Sequence, residues 1–151
     1  MAPRPQTILV VEDSDDDFLA TARAFKKAGL ANPVKRCTNG DQALDYLFRR
    51  GEFSDPAAAP VPGIILLDLN LPGTDGREVL RVVKLDPQLH LIPVVVLTTS
   101  IAPQDIQNCY DHGANSYVQK PVDLHGFVVA MTRLKEYWFE VAILPKPGGA
   151  P

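Results

Sequence analysis

The sequence is poor in cysteine, has no excess of positive charge and contains no long apolar run. Its two cysteines, Cys37 and Cys109, are far apart in 151 residues, which suggests neither a disulfide framework nor a zinc site. A net charge of −3 argues against a nucleic-acid-binding surface, because such a surface needs a basic face. No apolar stretch approaches the ~20 residues of a membrane-spanning helix, and the N-terminal MAPRPQT lacks the apolar core of a secretory signal. We therefore expect a cytoplasmic protein that binds neither nucleic acid nor membrane.

The length and composition are those of one globular domain. Hydrophobic residues make up 46% of the chain and charged residues 22%, which is ordinary for a protein with a single core. We expect residues 8–140 to form the domain, residues 1–7 an N-terminal tail and residues 141–151 a C-terminal extension.

Apolar runs of strand length alternate with segments of helical period along the whole chain. The predicted strands are Ile8–Val11, Val34–Thr38, IILLD, PVVVLTTS and SYVQK, and a helical pattern follows each of them. Five βα units in succession predict an α/β fold, in which a five-stranded parallel sheet is doubly wound with helices on both faces.

Polar side chains stand where four of these strands end. The strand ends carry Glu12, Asp13, Asp68, Thr98, Thr99, Lys120 and Pro121. Because ligands of an open parallel sheet bind at the carboxyl ends of its strands, we expect these groups to meet at one edge.

Three carboxylates and a lysine at one edge predict phosphoryl chemistry with a metal. Oxygen ligands alone favour magnesium over zinc, and a phosphate oxygen commonly completes magnesium coordination. A carboxylate beside a metal and a lysine can attack a phosphorylated donor and become an aspartyl-phosphate. Asp68 is the predicted nucleophile, because it projects alone from the most buried strand at the centre of the edge.

Asp15, Asp16 and Asp17 follow the first strand end and read as a solvated helix start. Ser14 is the predicted N-cap, and acidic residues are favoured in a first helical turn by the helix dipole. We expect these three acids to take no direct part in the chemistry.

Four motifs in this order resemble the receiver domains of bacterial two-component response regulators, which have a flavodoxin-like fold. The motifs are VVED, LLDLNLPGTDG, VVLTTS and SYVQKP. The resemblance implies that Asp68 accepts the phosphoryl group. It also implies that Asp13, Asp68 and the backbone carbonyl of Asn70 bind Mg²⁺ directly and Glu12 binds it through water, with Mn²⁺ able to substitute.

The same resemblance assigns roles to the two remaining strand ends. Thr98 and Lys120 would contact the phosphoryl group, and Thr98 and Tyr117 would form a switch pair whose side chains reorient on phosphorylation. The Lys120–Pro121 peptide bond would be cis, an isomer essentially restricted to bonds that precede proline. In the sequence itself, a one-residue slip of register would present Thr99 instead of Thr98, and Tyr117 could be only a half-buried strand aromatic.

The implied function is signalling rather than turnover catalysis. The protein would take a phosphoryl group from a sensor histidine kinase and lose it slowly to water. No output domain is expected after the receiver, so it would signal by changing partners. The Pro-rich loop before the third strand, LTTS and the aromatic YWF resemble single-domain regulators that pair with phytochrome-type kinases.

Two other functions are compatible with parts of the pattern. A phosphohydrolase of the haloacid-dehalogenase type would also form an aspartyl-phosphate, but it needs a second aspartate where this chain has Asn70, which cannot exchange the proton. A phosphorylation-independent binding module would retain the scaffold without the chemistry.

The end of the chain carries more apolar residues than the last predicted helix needs to pack one face against the sheet. The additional residues are Tyr137, Phe139, Val141, Ile143 and Leu144. An exposed apolar patch usually marks an interface, so we expect a two-fold homodimer through the last helix and the segment after it. The alternative is a tail that folds back onto its own domain.

Overall fold

The computed structural model describes residues 6–145, in which five strands alternate with five α-helices. The elements are β1 (Thr7–Val11), α1 (Asp15–Lys27), β2 (Val34–Cys37), α2 (Gly40–Phe48), β3 (Pro62–Leu67), α3 (Gly76–Leu85), β4 (Val94–Thr98), α4 (Pro103–Asp111), β5 (Ser116–Gln119) and α5 (Leu124–Lys135). A π-helical turn, Glu136–Val141, continues α5. Most of the predicted N-terminal tail, residues 1–5, and most of the predicted C-terminal extension, residues 146–151, lie outside the described residues.

The strands form one parallel sheet in the order β2-β1-β3-β4-β5. β3 lies at the centre, and all six of its residues are buried. This agrees with a strand that is apolar at every position, because a parallel sheet is covered by helices on both faces. The predicted doubly wound (βα)5 fold is confirmed.

Alternate residues of the central strands point to opposite faces of the sheet, where they belong to two separate hydrophobic cores. In β1, Leu9 and Val11 face the core formed with α2, α3 and α4. Ile8 and Val10 face the core formed with α1 and α5. Cys37 and Cys109 are fully buried in the first core, as small apolar side chains usually are.

The connection from β3 to α3 packs tightly over the end of the central strand. Gly76, the first residue of α3, donates its N–H to the carbonyl oxygen of Leu69 at 2.9 Å. A Cβ atom at Gly76 would lie 2.1 Å from the carbonyl oxygen of Asp68, so only glycine fits this position. The backbone on which Asp68 sits is therefore held by direct contact with α3.

Within residues 6–145, none of the helices combines the length and the hydropathy needed to cross a bilayer.

Candidate functional site

The ammonium group of Lys120 lies at the centre of the carboxyl edge of the sheet. Its Nζ is 2.7 Å from Glu12 Oε1, 2.8 Å from Asp17 Oδ2 and 3.0 Å from Asp68 Oδ2. A lysine has three N–H donors, and here each has a carboxylate acceptor. The ends of β1, β3 and β5 are thus joined through one side chain.

Lys120 is anchored at both ends. Its backbone N–H donates to the carbonyl oxygen of Thr98 at 2.7 Å, which ties the end of β5 to the end of β4. Burial alone would lower the pKa of Lys120, but the hydrogen bonds that it donates to Asp17, Glu12 and Asp68 outweigh burial and raise that pKa above its usual range. The three carboxylates therefore favour the charged form of Lys120.

Glu12 is almost completely buried beside Lys120. Burial raises the pKa of Glu12 above its usual value, and the neighbouring charge of Asp68 adds to this, although Lys120 acts in the opposite direction. Its second oxygen accepts a hydrogen bond from the backbone N–H of Ser14 at 3.2 Å. A further positive charge at this edge would favour the ionised form of Glu12.

Three carboxylates at this edge are arranged to hold a cation. Oxygen atoms of Glu12, Asp13 and Asp68 all lie within 4.8 Å of one another. Asp13 is exposed, whereas Glu12 and Asp68 are buried. An all-oxygen donor set, partly open to solvent, fits a hard divalent ion such as Mg²⁺ or Mn²⁺, which keeps some of its water ligands. The residues present therefore fit the metal that the sequence predicts.

Asp68 follows β3 directly and is only 6% exposed. Its backbone N–H donates to the carbonyl oxygen of Val11 at 3.1 Å, so it stays within the sheet ladder. Its Oδ1 accepts a long hydrogen bond from the backbone N–H of Asn70 at 3.4 Å. Both carboxylate oxygens are thus oriented, one by Lys120 and one by the loop that follows.

Thr98 and Tyr117 lie on neighbouring strands and contact the same loop. Thr98 is fully buried at the end of β4, and its Oγ1 accepts the backbone N–H of Ser100 at 3.4 Å. The Tyr117 hydroxyl donates to the carbonyl oxygen of Ser100 at 2.9 Å. The side chain of Thr99, the alternative at this strand end, is exposed.

Sequence reasoning missed an ion pair that holds this loop from the other side. Arg77 on α3 donates to both carboxylate oxygens of Asp105 on α4, each at 2.9 Å. Ser100 Oγ donates to Asp105 Oδ2 at 2.7 Å. The loop between β4 and α4 is therefore bound directly to β5 and to Asp105, and through Asp105 to α3. Arg77 and Asp105 are 28 residues apart, and no motif in the sequence links them.

Asp15, Asp16 and Asp17 were expected to form a solvated helix start, and Asp17 departs from this because its carboxylate contacts Lys120. Ser14 caps α1 as predicted, with its Oγ accepting the N–H of Asp17 at 3.2 Å. Asp15 pairs with Arg36 at 2.8 Å, and Asp16 is exposed. The Asp17 carboxylate accepts a hydrogen bond of 2.8 Å from Lys120 Nζ. The sequence offered one clue. Lys120 has three N–H donors, so Glu12 and Asp68 alone leave one donor for a further acceptor.

The predicted cis peptide bond between Lys120 and Pro121 is also wrong. Residues 6–145 contain no cis peptide bond. Trans is the intrinsically favoured isomer before proline, by about 0.5–1 kcal/mol. In the trans form Lys120 already makes its bond to Thr98 and its three carboxylate contacts, so no contact seen here requires the cis isomer.

Comparisons with known proteins agree with this geometry. The family model of the response regulator receiver domain matches residues 8–132. The probable methanogenesis regulatory protein FilR2 of Methanothrix harundinacea is 37% identical over 137 residues, which cover 91% of this chain and 86% of that protein. The response regulator Rcp1 of Synechocystis is 37% identical over 141 residues, which cover 93% of this chain and 94% of Rcp1.

Two solved structures match nearly the full length. The phosphorylated cyanobacterial phytochrome response regulator RcpA superposes with a TM-score of 0.88 at 39% identity, covering 94% of this chain and 99% of RcpA. The Mn²⁺-bound form of Rcp1 superposes with a TM-score of 0.86 at 37% identity, covering 93% of this chain and 99% of Rcp1. Taken with the acidic edge and its lysine, these matches show that the chain belongs to the response regulator receiver domain family.

Proposed function

We propose that the protein accepts a phosphoryl group on Asp68 from the phosphohistidine of a sensor histidine kinase. The observation that carries this proposal is the contact of 3.0 Å between Lys120 Nζ and Asp68 Oδ2, at a buried edge that also presents Glu12 and Asp13. RcpA, which shares the fold and 39% of its residues, is described as phosphorylated. The proposed role is that of a self-catalysed phosphoacceptor that loses its phosphoryl group slowly to water, and not that of a turnover enzyme.

The transfer needs a nucleophile, a positive charge that stabilises the phosphoryl oxygens and a leaving group. An oxygen of Asp68 attacks phosphorus, the phosphorus–nitrogen bond of the donor breaks, and the donor imidazole leaves with the electron pair and can then take up a proton. Lys120 already lies against Asp68 and can donate to a phosphoryl oxygen as negative charge develops there. Thr98, at the end of β4, is proposed to supply a hydroxyl donor to the same group.

The metal site is proposed on the same edge. Asp13, Asp68 and the backbone carbonyl of Asn70 would hold Mg²⁺ or Mn²⁺ directly, and Glu12 would hold it through water. A bound divalent ion would neutralise charge on the phosphoryl oxygens. Support comes from the three clustered carboxylates and from Rcp1, whose structure is described as Mn²⁺-bound.

The switch is proposed to run through the loop between β4 and α4. A phosphoryl group on Asp68 would draw Thr98 toward it and shift Ser100, two residues further along. Because the Tyr117 hydroxyl is bound to the Ser100 carbonyl at 2.9 Å, the shift would be passed to β5. The face formed by α4, β5 and α5 would then change for its partners.

The partner we propose is a histidine kinase of the phytochrome type, acting in the cytoplasm. RcpA is described as a phytochrome response regulator, and its superposition covers 94% of this chain at 39% identity. The Pro-rich loop before β3, the LTTS at the end of β4 and the aromatic YWF after α5 support the same pairing.

A homodimer through the chain end is proposed on the exposure of its apolar side chains. Ile143 is 98% exposed, Val141 71% and Tyr137 55%. Phe139 and Leu144 are half-buried, and Phe139 also packs against the core beneath α5. A second copy would cover the exposed three by a two-fold contact.

Sedimentation tests the dimer. We expect wild type to dimerise at tens of micromolar, on the usual scale of moderate affinities, and Ile143→Glu to be monomeric. Leu85→Glu, at an apolar residue of α3 that is 70% exposed, is the matched control and should dimerise like wild type. Monomeric wild type in this range would contradict the proposal.

Intact mass after incubation with Mg²⁺ and acetyl phosphate tests the phosphoacceptor. Wild type should gain the mass of one phosphoryl group, and Asp68→Asn should gain none. Asp16→Asn is the control, because it removes one carboxylate from an exposed position outside the site. No gain on wild type, or equal gain on Asp68→Asn, would exclude Asp68 as the acceptor.

A further inference from the structure

One carboxylate of the Lys120 cluster is not used by the proposed metal site. The oxygens of Glu12, Asp13 and Asp68 form the cation cluster, and Asp17 is not part of it. Asp17 nevertheless contacts Lys120 Nζ at 2.8 Å, as closely as the two buried acids do. Its side chain is 37% exposed, so it approaches the lysine from the solvent side.

The helix cap leaves the Asp17 carboxylate free for this contact. An acid at the third position of a helix commonly reaches back to the backbone N–H of the N-cap residue. Here Glu12 Oε2 accepts the N–H of Ser14 at 3.2 Å in its place. The carboxylate of Asp17 is therefore available to point across the edge to β5.

The other two partners of Lys120, Glu12 and Asp68, also belong to the proposed metal site. A cation held by Glu12 and Asp68 competes with Lys120 for oxygens of those side chains, because each oxygen has limited acceptor capacity. Asp17 has no such second role in the described structure. It is the one partner whose hold on Lys120 does not depend on whether the cation is bound.

We propose that Asp17 is a positioning residue that keeps the Lys120 ammonium beside Asp68 during phosphoryl transfer. Asp17 and Glu12 occupy two of the three N–H donors of Lys120 and direct the third toward Asp68, where it can be shared with an oxygen of the incoming phosphoryl group. A charge-assisted hydrogen bond fixes the direction of a long, flexible side chain. This inference rests on the proposed function of Asp68.

The test compares Asp17→Asn with Asp16→Asn in phosphorylation by acetyl phosphate. Both variants lose one negative charge from the first turn of α1, but only Asp17 contacts Lys120. The time course is followed by intact mass over a range of donor concentrations, at a temperature where circular dichroism shows every variant folded. Mn²⁺ affinity is measured separately by titration.

We expect Asp17→Asn to lower the maximal phosphorylation rate by about 10-fold, since a small misplacement of a catalytic group is costly. The half-saturating donor concentration, the final extent of phosphorylation and the Mn²⁺ affinity should stay close to those of Asp16→Asn. A merely structural ion pair would change stability and leave the maximal rate alone.

The outcomes separate this inference from the function on which it rests. Wild type that takes up no phosphoryl group overturns both. Wild-type uptake with equal maximal rates for Asp17→Asn and Asp16→Asn overturns the role of Asp17 alone. A parallel loss of Mn²⁺ affinity in Asp17→Asn also overturns it, because Asp17 would then act on the metal site.

Discussion

Arg77 on α3 holds Asp105 on α4 through two parallel hydrogen bonds of 2.9 Å, and the same carboxylate accepts the hydroxyl of Ser100. The pKa of Asp105 is lowered, mainly by the hydrogen bond from Arg77. The pair thus fixes the start of α4 against α3 and orients the loop that the Tyr117 hydroxyl contacts from β5.

Arg77→Lys should loosen this connection, because an ammonium group cannot make the planar two-point contact of a guanidinium group. The pair is partly exposed, so we expect a loss of only about 1 kcal/mol in unfolding free energy, measured by urea denaturation. Hydrogen exchange at the start of α4 should also accelerate. Arg81→Lys, at the exposed Arg81–Glu78 pair, is the control and should change neither quantity.

Thr98→Ala should uncouple phosphorylation of Asp68 from the change at Tyr117 and the face formed by α4, β5 and α5. The variant keeps Asp68 and Lys120 but removes the hydroxyl that accepts the N–H of Ser100. We expect phosphorylation to continue while the difference in dimer and partner affinity between the two states shrinks, as measured by sedimentation and kinase pull-down. Thr99→Ala, at the neighbouring exposed position, should behave like wild type. Unchanged coupling in Thr98→Ala would exclude this route.

Divalent metal should stabilise the folded protein, because the carboxylate cluster exists only in the folded chain. Binding to the native state alone adds about 2.7 kcal/mol at a concentration 100 times the Kd. Thermal denaturation with and without Mg²⁺ measures the gain. Asp13→Asn should lose most of it, whereas Asp16→Asn should retain it. A metal-independent melting temperature in wild type would argue against the site.

Gly76→Ala should destabilise the domain even though alanine is the better helix former. The added Cβ would lie 2.1 Å from the Asp68 carbonyl oxygen, and backbone atoms must move to admit it. Overpacking of this kind costs about 1–3 kcal/mol, which urea denaturation detects. Stability equal to wild type would show that the turn between β3 and α3 can relax.

Neither cysteine should react in the folded protein. Burial raises the pKa of Cys37 to about 12, and burial also raises that of Cys109. A thiol reagent at pH 8 should therefore modify both residues quickly only after denaturation in guanidinium. Rapid modification of the native protein would contradict the packing of the first core.

The shift of Cys37 also sets a pH dependence of stability. The unfolded thiol ionises near its ordinary pKa of 9.0, whereas the folded thiol keeps its proton to about 12. The folded state then binds more protons, so the contribution of Cys37 is present below pH 9 and is lost as the pH rises toward 12. Cys37→Ala should show a smaller fall in unfolding free energy over that range. An identical slope in both proteins would argue against the shift.

The fold and the strand-end residues were accessible to sequence reasoning for a physical reason. A parallel sheet brings every carboxyl strand end to one edge, so Glu12, Asp68 and Lys120 could be placed together without knowing any helix position. Asp17 and the Arg77–Asp105 pair depend on where helices sit and how they are rotated. Those quantities come from packing between distant segments, which local periodicity does not report.

Because Gly76 lies so close to Asp68, the surroundings of Asp68 are more rigid toward α3 than toward β4. On the α3 side, the backbone of Asp68 lies so close to Gly76 that a Cβ atom does not fit between them, and packing this tight resists compression. Toward β4, the loop is held by hydrogen bonds that can exchange partners. We therefore expect strain that starts at Asp68 to be relieved toward the loop after β4 rather than toward α3.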